Sequence, residues 1–593
     1  MSTVILTGLP VPGSPLEDEL RSLGFEVRPV PAPEDTAAAL AAVPAGERVA
    51  VVDSGFVGHA HALRLALTDP RFDACAVTGA FAVQAGARAA LEKAAQLPPD
   101  GEGPYADRLA AAVEAAGTVV RRPELGTLVA AVPSGEADRA EALAAVAAVD
   151  DEAVRLRTAV KSRDGFFTTF FISPYSRYIA RWCARRGLTP NQVTTASLLT
   201  ALIAAGCAAT GERWGYVTAG VLLLVSFVLD CTDGQLARYS LQYSTLGAWL
   251  DATFDRAKEY SFYAGLALGA ARGGDDVWAL ALGSMILMTC RHVVDFSFNE
   301  ANLDATAVGK SVTGSPTAAL STRLDSVGWT VWVRRMIILP IGERWAMIAV
   351  LTAATTPRIV FYALLIGCAF GALYTTAGRV LRSVTRKAER TDRAAQALAD
   401  LADSGPLAGL VASHPLRTLR LPFAVLGAAV MVGAACYEPY GSLVVVFAAL
   451  LYVLLSGDAV GTPPRGPLDW LLPPLFRAAE YTTVLVLAVK ADVPGALPAA
   501  FGLVAAVAYH HYDTVYRIRG GSGAPPRWLV RTTGGHEGRV LLTAALAAVV
   551  AREAFPVALT ALAVFVALVV LVESIRFWVS AGAPAVHDEG EPA

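Results

Sequence analysis

Charge is scarce in this chain, its cysteines show no pairing pattern, and it has no glycine-rich phosphate loop. Each lack excludes something. Charged residues make up 17% of its 593 positions against 54% hydrophobic ones, and mean hydropathy is +0.47. That is too apolar for an ordinary soluble protein, and the length is too great for one domain. The net charge of −3 provides no basic field for nucleic acid. Seven cysteines (Cys75, Cys183, Cys207, Cys231, Cys290, Cys368, Cys436) include no CxxC pair. Most stand in apolar runs, where a thiol acts as a small hydrophobe, so neither a zinc site nor a disulfide framework is expected. The opening MSTVILTGLPVPG has no basic segment before its short apolar run, and no signal peptide is expected. Its glycines form neither a P-loop nor a GxGxxG.

What is present divides the chain into segments. Residues 1–155 are the less apolar part. VILTG, RVAVVDSG and GTLVAAVPS read as buried strands, and DTAAALAAV and RAEALAAVAAVDDEAVRLRTAVK as helices, an alternation that predicts a three-layer α/β domain. From about residue 165, FFTTFFISPYSRYIARWCARRG sets aromatics and arginines at helical spacing, as in an amphipathic helix lying on a bilayer. Thr189 then reads as an N-cap with Pro190 at the first helical position. Spans are expected near 190–210, 214–232, 244–271, 276–297, 337–354 and 357–380, followed by a cytoplasmic linker over 386–414. Six more are expected near 419–436, 441–457, 468–490, 494–513, 537–552 and 556–578, with a disordered tail over 581–593. Arg177, Arg181, Arg185 and Arg186 precede the first span, Lys310, Arg323, Arg334 and Arg335 lie between the fourth and fifth, and Arg382, Arg386, Lys387, Arg390 and Arg393 follow the sixth. This bias places the α/β domain on the cytoplasmic face of the cell membrane.

The second group of spans reads as a worn copy of the first. Asp255-Arg-Ala-Lys-Glu-Tyr260 recurs as Phe476-Arg-Ala-Ala-Glu-Tyr481. His292 and Asp295 are echoed by His511 and Asp513, and Glu343 and Arg344 by Glu537 and Arg539, in the same order. In the copy Phe476 replaces the last aspartate and Leu472 aligns with Asp251, so this half is not expected to hold metal.

The chemistry concentrates in residues 230 to 255, DCTDGQLARYSLQYSTLGAWLDATFD. Asp230 and Asp233 are spaced i,i+3, Asp251 and Asp255 i,i+4, so each pair projects from one helix face. Carboxylates at the ends of apolar spans are costly without a partner. Four that converge repel one another unless cations lie between them, and hard oxygen ligands select Mg²⁺, Mn²⁺ or Ca²⁺. Gly234 and Ala237 keep one helix face free of bulk for a base or ribose, and Arg238 offers a planar fork for phosphate oxygens. Gly247 is expected to let the third helix pack closely beside the second.

Asp230, Asp233, Gly234, Ala237, Arg238, Gly247, Asp251 and Asp255, in the order Asp-x₂-Asp-Gly-x₂-Ala-Arg-x₈-Gly-x₃-Asp-x₃-Asp, resemble the signature of the CDP-alcohol phosphotransferases over roughly residues 160 to 385. The resemblance implies a multi-pass α-helical membrane protein: a six-span catalytic bundle over 160–385, a degenerate six-span half over 415–580, and the N-terminal soluble α/β domain. It implies that Asp230, Asp233 and Asp251 bind two divalent ions, Mg²⁺ or Mn²⁺. Asp255 would touch a metal and accept the proton of the attacking hydroxyl. Asp230, Asp233, Gly234, Ala237, Arg238 and Gly247 would contact the CDP-alcohol donor, and CMP would leave. Lys161-Ser-Arg-Asp164-Gly165-Phe and the helix after it resemble the start of the membrane domain of di-myo-inositol-phosphate-phosphate synthases. Those also carry an N-terminal α/β domain, whose nucleotide loop is missing here, so a degenerate nucleotidyltransferase-like domain is expected.

The donor is then a CDP-polyol or CDP-diacylglycerol, and the acceptor a polyol phosphate or lipid alcohol. Arg291, Lys310 and Arg344 are the candidate acceptor-phosphate ligands, and His292 and Asp295 read as structural hydrogen-bonding residues between spans in preference to a further metal site. The second half is expected to stand in for the partner of a homodimer. The competing reading is a membrane lipid-binding or transport protein whose carboxylates couple ions.

Overall fold

The computed structural model describes residues 2–98, 101–161, 164–307, 332, 336, 338–385, 390–413 and 420–580. Lys310, Arg323, Arg334, Arg335 and the tail over 581–593 lie outside the described residues.

In the N-terminal domain, strands β1 (Ser2–Thr7), β2 (Phe25–Val30), β3 (Val49–Asp53), β5 (Ala74–Val77) and β6 (Ala80–Val83) form one sheet in the order β2-β1-β3-β6-β5. The first three run parallel, and β6 runs antiparallel to both its neighbours. Neighbouring residues of a strand face opposite sides. Ile5 and Val51 therefore pack with Leu91 and Leu109 on one face, and Val4 and Val52 with Leu63 and Leu67 on the other. This is the expected three-layer arrangement, with one correction. GTLVAAVPS supplies only the two-residue β7 (Ala130–Ala131), paired with β4 (Val57–Gly58) away from the main sheet. His59 captures that segment: Nδ1 accepts the Val129 N–H at 2.8 Å, and the His59 N–H donates to the Val129 carbonyl at 3.0 Å.

Beyond residue 165 the described chain is helical. The turn Thr168–Ile172 exposes Phe170 and Phe171, and the helix Ser173–Arg185 that follows exposes Tyr175, Tyr178 and Trp182, as a membrane-lying segment would. Thr189 and Gln192 then form a reciprocal capping box, with Pro190 in the first turn.

Among the described residues, eight helices are long and apolar enough to cross a membrane, as in a multi-pass integral membrane protein: Pro190–Ala209, Arg213–Ser240, Trp278–Leu303, Pro357–Thr385, Arg420–Tyr437, Leu443–Val460, Asp469–Ala491 and Arg552–Ser580. Four other expected spans are helical without reaching that length and hydropathy. Thr245–Arg272 and Ala496–Arg519 carry many charged or histidine side chains, and Ile341–Ala354 and Gly535–Val549 have 14 and 15 residues. The described part of the expected linker, residues 390–413, is folded: Asp392–Ala402 buries Leu398 beside Phe298 and Trp470.

Packing fixes the helices that carry the aspartates. Thr245–Arg272 lies against Pro190–Ala209 so closely that a Cβ at Gly265 or Gly269 would fall 2.4 Å from the Ala205 carbonyl or 2.0 Å from that of Ala208. Arg213–Ser240 packs on the same helix, where Ser197 Oγ donates to the Ser226 carbonyl at 2.8 Å.

Candidate active site

The Arg213–Ser240 helix runs without a break through Asp230, Asp233 and Gly234, and stops where Leu241 turns left-handed at φ 53°. Ser244 starts the next helix, its Oγ accepting the Gly247 N–H at 2.9 Å. The short turn brings both aspartate pairs to one end of the Pro190–Ala209 helix.

Carboxylate oxygens of Asp230, Asp233 and Asp251 lie within 4.8 Å of one another. Oxygens around one hard cation at about 2.1–2.4 Å are separated by at most about 4.2–4.8 Å. Asp233 is 4% exposed, and its Oδ2 is buried with no hydrogen-bond partner among the described residues. An unpartnered buried carboxylate oxygen aimed at two others fits a divalent cation.

Asp255 stands beside this trio and is held by a residue that sequence reasoning passed over. Lys258 is fully buried; its Nζ lies 2.9 Å from Asp255 Oδ1, donates to Asp230 Oδ1 and reaches Ser197 Oγ at 3.3 Å. The available signal was a lysine one helical turn after an aspartate inside an apolar span.

The expected donor contacts lie on this end of the bundle. The atoms nearest a notional Cβ on Gly234 belong to the Arg238 guanidinium, at 3.4 Å, an ordinary contact rather than close packing. Arg238 Nε donates to the Ala159 carbonyl at 2.6 Å, tying the helix to the end of the N-terminal domain. Tyr239 strengthens that joint: its hydroxyl donates to Glu152 at 2.8 Å and its ring carries the Arg155 guanidinium at 3.6 Å. Gly247 corrects an expectation. Its missing side chain makes room for Asn191 Oδ1 on the first spanning helix, 2.7 Å from a notional Cβ, and not for the second helix.

The expected acceptor cations lie deeper. Arg344 and Arg256 share one carboxylate, Glu259, at 3.3 and 2.7 Å, and Arg291 donates to the Ile338 carbonyl while its Nη1 is unpartnered among the described residues. His292 hydrogen-bonds Tyr512 of the other half, and Asp295 pairs with Arg379, so both have the structural roles expected.

The echoing residues occupy matching surroundings. Arg477 and Arg539 share Glu480 at 2.6 and 2.5 Å, as Arg256 and Arg344 share Glu259. Glu343 accepts the Phe167 N–H, while Glu537 accepts those of Gly405 and Ala408, each beside a glycine with no room for a Cβ. One difference stands out. Asp403 closes the second cluster, 2.7 Å from Arg477 and 2.8 Å from Arg539. Where the first half has Asp255, Phe476 stacks on His536 with centroids 4.3 Å apart.

Comparison with known proteins agrees with this geometry. Residues 187–350 match the family model for CDP-alcohol phosphatidyltransferase. Residues 392–593 match a family of unknown function, DUF5941. Among curated proteins the chain is similar to an archaetidylinositol phosphate synthase of Pyrococcus horikoshii (34% identity, covering 19% of this chain and 58% of that one). It is also similar to a bifunctional IPC transferase and DIPP synthase of Aquifex aeolicus (30%, covering 22% and 31%). A phosphatidylinositol phosphate synthase of Streptomyces avermitilis is 30% identical over 21% of this chain and 51% of its own length. The chain thus spans less than two thirds of the length of these relatives.

Proposed function

We propose that the protein is a membrane-embedded phosphotransferase that moves a phospho-alcohol group from a CDP-alcohol to an acceptor hydroxyl and releases CMP. The observation that carries this reading is the convergence of Asp230, Asp233 and Asp251 beside Asp255, within the stretch matched by the transferase family. A bound Mg²⁺ or Mn²⁺ would grip the bridging phosphate oxygens and neutralise charge building on the leaving group. Asp230, Asp233 and Asp251 would hold it. Asp255 accepts the proton of the attacking hydroxyl, whose oxygen bonds to the phosphorus distal to cytidine as the bond to CMP breaks. Gly234 and Ala237 admit the nucleotide to the helix face, Gly247 lines its edge, and Arg238 Nη atoms steady a phosphate.

The relatives' names support an inositol phosphate or another polyol phosphate as acceptor and CDP-diacylglycerol as a donor to try first. Arg344 and Arg291, with Lys310, take the acceptor phosphate. The uneven count of two guanidiniums on Glu259 supports this, because the second half closes its equivalent cluster with Asp403. The N-terminal domain is a degenerate nucleotidyltransferase-like unit that docks on the cytoplasmic end of the site. The membrane region has six spans in each half, with charged helices filling the shorter positions. The halves pack as an intramolecular pseudo-dimer. The exchange of neighbours favours a two-fold arrangement: Trp278–Ala307 touches Leu472–Ala491 while Thr245–Arg272 touches Ala496–Arg519. Ion-coupled transport is disfavoured because only one half carries the aspartates.

The test pairs CDP-diacylglycerol, CDP-inositol and CDP-glycerol with several polyol phosphates in the presence of Mn²⁺ and follows CMP. One pair should release CMP. No release from any pair overturns the assignment.

A further inference from the structure

We propose that this site takes a single divalent cation and that the Lys258 ammonium is its permanent second cation. The inference deepens the phosphotransferase reading and rests on it. The trio Asp230, Asp233 and Asp251 is a complete set of oxygens around one ion position, with the unpartnered Asp233 Oδ2 facing it. A second ion shared by Asp255 and Asp230 would need the place between their carboxylates. That carboxylate pair is where Lys258 Nζ sits, bound to both.

Three features keep the ammonium there. Of the ammonium's three donors, Asp230 Oδ1 and Ser197 Oγ each accept one, and Asp255 Oδ1 lies 2.9 Å away as an ion pair. The Trp345 ring faces the same nitrogen 5.5 Å away, an additional attraction for a cation. The side chain has no exposed surface through which to swing out, and leaving would strand a charge in an apolar bundle. Like charges between one pair of carboxylates repel, so an ion entering that position would have to displace the lysine.

The second half supports the pairing of lysine with carboxylates. The stretch Asp255-Arg-Ala-Lys-Glu-Tyr260 becomes Phe476-Arg-Ala-Ala-Glu-Tyr481, so the aspartate and the lysine are lost together. Arg477 and Glu480, which form the structural ion pair, are kept. A lysine serving only to join helices would have no reason to follow the aspartate.

The experiment counts Mn²⁺ on the full-length protein in detergent with CMP present, by electron paramagnetic resonance and metal analysis. Wild type should bind one Mn²⁺ per chain. Lys258→Met should bind two, with a signal broadened by coupling between neighbouring ions, and its CMP release should change from a hyperbolic to a sigmoidal dependence on Mn²⁺. Two ions on wild type that releases CMP overturn this inference and leave the phosphotransferase reading standing. One ion on a folded Lys258→Met also overturns it. No bound Mn²⁺ and no CMP release from wild type overturn both. The wild-type count decides even where the variant fails to fold.

Discussion

The roles proposed for Asp255 and Asp233 separate proton transfer from metal holding. Asp255→Asn keeps the shape and the hydrogen-bonding capacity toward Lys258 but cannot accept a proton, so CMP release should fall at least about 100-fold while Mn²⁺ still binds. Asp233→Asn should lose Mn²⁺ binding itself, measured by calorimetry. A second residue-level prediction lies far from this chemistry. Burial among Arg155, Arg64 and His59 drives the His61 imidazole down to about 4, and neither ring nitrogen has a partner among the described residues. Between its ordinary value near 6.5 and about 4, the unfolded chain binds a proton that the folded one refuses. The domain therefore loses stability as pH falls through that window, by about 3 kcal/mol at the lower end. His61→Leu should remove this loss, read as the difference between the two proteins in hydrogen-exchange protection of Ala60–Leu67, corrected for intrinsic rates.

Helices of the second half hold the helix of the first that carries Asp251 and Asp255. Trp249, two residues before Asp251, stacks on Trp578 with centroids 6.2 Å apart, and the Trp578 indole N–H donates to Asp513 at 2.7 Å. Tyr512 lies under the Arg256 guanidinium at 5.2 Å and hydrogen-bonds His292. Trp578→Ala should cost about 3 kcal/mol in local packing and lower kcat with little change in nucleotide affinity, measured by CMP-release kinetics. This buttress was not legible in the sequence, because the meeting of Trp249 and Trp578 depends on how two distant halves pack. The aspartates were legible, since i,i+3 and i,i+4 spacing survives any tertiary arrangement. Lys258 was not, because its importance comes from Ser197 and Asp230 on two other helices. The strands divide for similar reasons. Buried β-branched runs such as β3 identified themselves, whereas β2 alternates irregularly between buried and exposed positions and β5 is built from Ala-Cys-Ala-Val.

For the whole molecule, the two halves read as a dimer written into one chain. In detergent the protein should run as a single 62.0 kDa chain by light scattering once bound detergent is subtracted. A fragment ending near residue 385 should aggregate, having exposed the helix faces that Leu472–Ala491 and Ala496–Arg519 cover. In the buried cluster of Asp403, Arg477, Glu480 and Arg539 the charges are closed on one another, and Phe476, at the position that aligns with Asp255, stacks on His536.

The covalent join also has a genetic consequence. In a symmetric pair of identical subunits every substitution appears twice, so a change that suits the interface must also be tolerated at the reaction centre. Here Phe476 and Asp255 occupy corresponding places yet mutate independently. A protein that runs as the single chain expected above gives a defective allele no shared assembly to poison, and the harm stays within its own polypeptide.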